Sequence, residues 1–166
     1  MRASTKKKSI ALFVIGLVSL AISTPNAAVA GATQADVDYS TKVSELSQEF
    51  MTVIGTWGTA VASAPTLTIG SKWKKYKAAT TKSSDAVLAT IAKMSALVPS
   101  VGFPKSGPLL KKACASYKST ITTLKSGIVK NDAKIIAKAN PLAAKASKEY
   151  LAWSKAYAVE VAALNG

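Results

Sequence analysis

Histidine is missing from this 166-residue chain, and arginine occurs only once, as Arg2. Without imidazole there is no Ser-His or Cys-His nucleophile pair and no imidazole metal ligand. The Glu-x-x-His ligand sets that hold two metals inside helical bundles are excluded as well. Cysteine is nearly absent too: Cys114 stands alone and cannot close an internal disulfide, so a domain of this size depends on its hydrophobic core. Cys114 reads most simply as a small buried hydrophobe, with an intermolecular disulfide as the alternative. Acids are scarce, eight against 22 basic residues. Asp36, Asp38, Glu45, Glu49, Glu149 and Glu160 fall in no catalytic pattern. Glu45 and Glu49 lie one turn apart and could hold a cation, but a solvated acidic flank is the simpler reading. The expectation is a non-enzymatic protein with no cofactor and no metal.

What is present begins with the N-terminus. Arg2, Lys6, Lys7 and Lys8 precede thirteen apolar residues, "IALFVIGLVSLAI", and then "STPNAAVAG" with an A-x-A pattern at Ala28-Val29-Ala30. That order describes a secretory signal peptide over 1–30, cleaved before about Gly31. Retained as an anchor, thirteen residues would rise only about 20 Å, short of a roughly 30 Å hydrocarbon core. The reading is therefore a secreted, extracytoplasmic product, 31–166.

Apolar residues in 31–166 recur at helical spacing. Tyr39, Val43, Leu46, Phe50, Val53, Trp57 and Val61 form a first stripe, opened by a Thr33/Asp36 capping pattern and closed by Pro65. Ile69, Trp73, Tyr76, Val87, Ile91, Met94 and Val98 form a second, with Thr80 and Ser83 filling its gap. Leu110, Cys114, Tyr117, Ile121 and Leu124 form a third, with Pro108 in its first turn and Gly127 as its stop. The fourth follows Asn131-Asp132 and runs through Ile135, Ala139, Leu142, Ala146, Tyr150, Trp153, Tyr157, Val161 and Leu164, with Pro141 inside it as a site for a kink or a break capped by Asn140. No stretch alternates with period two. Helices over roughly 34–63, 70–98, 107–126 and 132–164 are each unstable alone, and mutual burial predicts an all-α, up-down-up-down four-helix bundle.

The chain beyond residue 30 carries eighteen lysines and eight acids, a net charge of +10. Residues 31–64 are net −3, whereas 71–138 are net +12. In "SKWKKYK", helical projection puts Trp73 and Tyr76 on the apolar face and Lys74 and Lys75 opposite, with Lys72 and Lys77 flanking the stripe. Rings so placed belong to the core, which disfavours a stacking surface for single-stranded nucleic acid. Lys111, Lys118 and Lys125 repeat every seven residues, and Lys134, Lys138, Lys145, Lys148 and Lys155 follow one face of the fourth segment. A solvated face is the ordinary explanation of such runs, with some lysines pairing Glu45 and Glu49. The sharper one is adhesion to an anionic envelope polymer or membrane surface. An all-lysine array suits diffuse attraction better than the bidentate recognition that arginine gives, and nucleic acid is the least favoured of these partners. Two alternatives stand beside it. One is an apolar-ligand carrier with Trp57, Trp73, Tyr117 and Trp153 along the bundle seam. The other is a membrane-active protein that releases an amphipathic helix.

The stretch from Leu109 to Tyr157, "LLKKACASYKSTITTLKSGIVKNDAKIIAKANPLAAKASKEYLAWSKAY", has an amphipathic helix, an Asx-capped turn and an Ala-rich helix in succession. In this it resembles small secreted Ala-rich helical proteins and lipoproteins of actinobacteria, although the lipidation cysteine of the lipoproteins is lacking. The resemblance implies a bundle and an extracytoplasmic setting in a bacterium. It implies no catalytic residues.

Overall fold

The computed structural model describes residues 31–66 and 68–165, so the signal-peptide reading of 1–30 lies outside the described residues. Four helices and no strand occur among those described: α1 (Gln34–Ala62), α2 (Gly70–Ser95), α3 (Ser106–Lys130) and α4 (Ala133–Asn165). The start of α1 is the capping box expected from its sequence. The Asp36 N–H donates to Thr33 Oγ1 at 3.3 Å, and the Thr33 N–H donates to Asp36 Oδ2 at 2.9 Å.

The turn between α3 and α4 departs from expectation. Gly127 does not stop α3, which continues to Lys130 and ends at Asn131 in the left-handed region, φ 54°. The Asp132 N–H reaches back to the Gly127 carbonyl at 2.9 Å and the Asn131 N–H to that of Ile128 at 3.1 Å. This is a Schellman arrangement with asparagine in glycine's place. Gly127 has a different task. A Cβ there would lie 2.7 Å from Ile136 Cγ1 and 2.8 Å from the Ile136 nitrogen, so its missing side chain lets the start of α4 close onto α3. Asp132 then caps α4, accepting from the N–H groups of Lys134 at 2.8 Å and Ile135 at 3.2 Å.

α4 runs through Pro141 without interruption, so the break that Pro141 permits is not taken. Proline deprives the Ala137 carbonyl of its helical donor. Both Ala137 and Pro141 are exposed, and water can serve that carbonyl.

Consecutive helices pack antiparallel, α1 on α2, α2 on α3 and α3 on α4. Trp57 Nε1 donates to Ser84 Oγ at 3.1 Å, Lys125 pairs with Asp85, and Ser116 donates to Glu149. The bundle closes between α1 and α4 through the Tyr157 hydroxyl, which donates to the Ser40 carbonyl at 3.3 Å. A chain of seven rings fills that side: Tyr39, Phe103, Tyr157, Trp153, Tyr150, Phe50 and Tyr117, with successive centroids 4.8 to 5.9 Å apart. Each such pair contributes about 0.5–1.5 kcal/mol beyond the area it buries.

Two stripe residues are not in the core. Ile69 is 73% exposed and Val98 is 82% exposed. Ile69 lies at the N-cap in extended backbone, and Val98 follows the end of α2 at Ser95, so neither has a helical neighbour to pack on. Phe103, in the α2–α3 loop, is fully buried. That loop is held by two carboxylates. Asp36 Oδ1 accepts from the Gly102 N–H at 2.9 Å, while Glu160 accepts from Lys105 N–H at 2.7 Å and Ser106 N–H at 3.0 Å, capping α3 from α4. The Thr33 hydroxyl, together with the Thr33 and Gly102 backbone donors, holds the Asp36 carboxyl well below the usual carboxylate range.

Candidate functional site: the lysine-rich end of the bundle

Antiparallel packing sorts the termini of the helices. One end of the bundle carries the α1–α2 loop, the start of α2, the end of α3 and the start of α4. The other carries the start of α1, the α2–α3 loop and the end of α4. Lysines follow this division. Residues 55–85 and 122–141 hold nine, Lys72, Lys74, Lys75, Lys77, Lys82, Lys125, Lys130, Lys134 and Lys138, against Asp85 and Asp132. That is +7 of the +10 carried beyond residue 30. At the other end, residues 31–48, 95–112 and 150–165 hold five lysines and four acids, a net of +1.

Little neutralises the lysine end. Asp85 is engaged with Lys125, and Asp132 is turned to the backbone of α4. The remaining ion pairs lie elsewhere: Lys42 with Glu45 at 2.8 Å, Lys93 with Glu49 at 2.8 Å and Lys112 with Glu149 at 3.7 Å. Glu45 and Glu49 therefore each have a lysine partner, and Glu49 also accepts from Thr90 Oγ1 at 2.8 Å. No group of three or more His, Cys, Asp or Glu side chains suited to a metal occurs among the described residues.

The start of α2 has its lysines in solvent. Ile69 provides no side-chain cap, and no acid lies in the first turn. Lys72, Lys74 and Lys75 crowd the place where the helix dipole favours negative charge. Beside them Lys77, Ala78, Thr81, Lys82, Asp85 and Val129 line a shallow open groove between α2 and α3. Val129, on this groove, is 48% exposed, and Ile69, at the N-cap of α2, is 73% exposed.

Of the lysines singled out in the sequence, Lys72, Lys74, Lys75, Lys77, Lys125, Lys134 and Lys138 meet at this end. Lys118, Lys145 and Lys148 lie midway along the bundle, and Lys111 belongs to the opposite end. The heptad row on α3 is therefore a side-facing ridge that only its last member, Lys125, brings to the cluster. Lys82 and Lys130 complete the cluster, although neither belongs to the seven-residue row on α3 or to the row along α4. What brings them in is chain direction, which a residue pattern along one helix does not contain.

Trp73 and Tyr76 are buried, at 4% and 5% exposure, with ring centroids 5.0 Å apart. The Tyr76 hydroxyl donates to the Val61 carbonyl at 3.3 Å, tying α2 to the end of α1. They are core rings and offer no stacking platform. The four seam aromatics are also separated. Trp57 faces Ser84, while Trp153, by the Tyr157–Ser40 register, lies level with Ser44, thirteen residues away along α1 or about 20 Å. Tyr117 packs on Phe50 near Trp153, whereas Trp73 lies at the lysine end. No helix among the described residues is long and apolar enough to cross a membrane. No family model, curated protein or solved structure matches the chain.

Proposed function

We propose that this is a non-enzymatic association protein, exported to the cell envelope and held to anionic material there through the lysine-rich end of its bundle. The observation that carries this reading is the gathering of nine lysines from three helices at one end, with both nearby acids already engaged. Export is supported by the signal-like order of residues 1–30 and by the resemblance to secreted Ala-rich bundles. Lysine without arginine supports attraction to a field of phosphate or carboxylate, with no single ligand read in detail.

Such attraction is salt-sensitive, because the screening length falls from about 30 Å at 0.01 M to about 8 Å at 0.15 M ionic strength. The test is co-sedimentation with anionic vesicles and with cell-wall preparations from about 0.01 M salt to several hundred millimolar. Binding at low salt that is lost by several hundred millimolar is expected. Joint substitution of Lys72, Lys74, Lys75 and Lys77 by glutamine removes about 1 kcal/mol per lysine at an anionic surface, and should weaken binding about a thousandfold. The same fourfold change at Lys111, Lys118, Lys145 and Lys148 should cost much less. Binding indifferent to salt, or equal losses from both sets, would refute the reading.

A further inference from the structure

On the flank of the lysine end, the cations border a concavity. The open groove between α2 and α3 is lined from Lys77 to Asp85 on one side and by Val129 on the other. The Lys125–Asp85 pair sets the register of the two helices, so Val129, one turn beyond Lys125, lies level with Thr81. The groove runs about 12 Å along α2. Lys77 and Lys82 are five residues apart, roughly 140° around the helix, and so stand on opposite sides of the line from Ala78 through Thr81 to Asp85. Lys77 is half-buried and Lys82 exposed, which leaves a narrow floor of small and apolar side chains between two ammonium groups. Lys74 lies one turn before Ala78 on the same face and extends that edge toward the pole.

This form discriminates among the partners that an all-lysine surface admits. The groove is too open for a small ligand, which a binding cavity surrounds over most of its surface. A bilayer presents its headgroups as a broad plane, which meets the rim of a groove between helices without entering it. One flexible strand can lie along the floor with its anions against the rim. We propose that the α2–α3 groove seats a single strand of a linear anionic polymer, with Lys77 and Lys82 on its phosphates or carboxylates and Lys74 meeting the strand as it leaves toward the pole. This rests on the polyanion reading above and names the form of the partner. Asp85 is the one opposing charge in the groove lining, and Lys125 offsets it.

The test uses soluble poly(glycerol phosphate) and poly(glutamate) as phosphate and carboxylate strands, and vesicles of phosphatidylglycerol and phosphatidylcholine, all at low salt. Binding of either polymer through the groove sustains the proposal. Circular dichroism checks that each variant is folded. Joint Lys77→Gln and Lys82→Gln should weaken polymer binding about thirtyfold, whereas joint Lys134→Gln and Lys138→Gln, the same charge removed from α4 across the bundle, should cost no more than about threefold. Ala78→Trp fills the groove without changing charge, and should weaken polymer binding by about tenfold while vesicle binding stays as it was. Asp85→Asn frees Lys125 and should tighten polymer binding about fivefold. Polymer binding indifferent to Ala78→Trp, or equal losses from the two lysine pairs, overturns the groove and leaves adhesion by the lysine end standing. So does a loss from Ala78→Trp that vesicles share equally. Vesicles bound with neither polymer bound overturns the strand in favour of a bilayer. Failure to bind any of these materials removes both proposals.

Discussion

Tyr39 and Tyr157 are buried in the interior and Tyr150 is half-buried against the same core. Burial, foremost, pushes each phenol from 10.0 up to about 12. Between about pH 10 and pH 12 the unfolded chain gives up phenolic protons that the folded chain keeps, so stability is full below that window and falls as pH rises through it. The loss is at most about 1.4 kcal/mol per pH unit for each tyrosine. Tyrosinate absorbance of the native protein should lag behind that of the denatured chain and then rise together with loss of helical ellipticity. A native titration that overlays the denatured one would contradict the packing described. These tyrosines were legible from the sequence, since Tyr39, Tyr150 and Tyr157 fall on apolar stripes of period 3.6. Phe103 was not, because a loop residue has no period, and its burial depends on Tyr39 and Tyr157 meeting it from two helices.

Between α3 and α4, Gly127 makes room for the start of the partner helix. Replacing it with alanine would ordinarily stabilise a helix by roughly 1 kcal/mol. Here the new methyl meets the Ile136 backbone nitrogen at 2.8 Å, which cannot yield without moving α4. Overpacking of this kind costs about 1–3 kcal/mol, so Gly127→Ala should lower the melting temperature. At Gly55 and Gly58, inside α1, an added methyl would find nothing within 4 Å. Gly55→Ala and Gly58→Ala should raise it, each by up to about 1 kcal/mol. Opposite signs from one substitution, read by thermal melts, check the α3–α4 geometry. The sequence identified the four helices and most of their buried faces, including Thr80 and Ser83 in the gap of α2. It misplaced the end of α3 because glycine as a stop and glycine as a spacer look alike until the partner helix is in position. The apolar stripe of α2 likewise overran its core at Ile69 and Val98, where periodicity continues but the neighbouring helices do not.

For the molecule as a whole, seven net positive charges at one end make the fold repel itself there. Added salt relieves this, so raising ionic strength from about 0.01 M to 0.15 M should increase the melting temperature while it loosens attachment to anionic vesicles. A melting temperature that fell with salt would mean that ion pairs outweigh the crowding of lysines. The amount of positive charge was plain from composition, but its assembly at one end was not. Lys72 is distant in sequence from Lys130 and Lys134 and comes to the same end only through antiparallel connection. The same connection sends Gly31 and Asn165 out at the opposite end from the lysines. With α1 twenty-nine residues long, the cationic pole and these two residues are separated by about 43 Å, so a label at Asn165 would sit well away from anything the lysines hold.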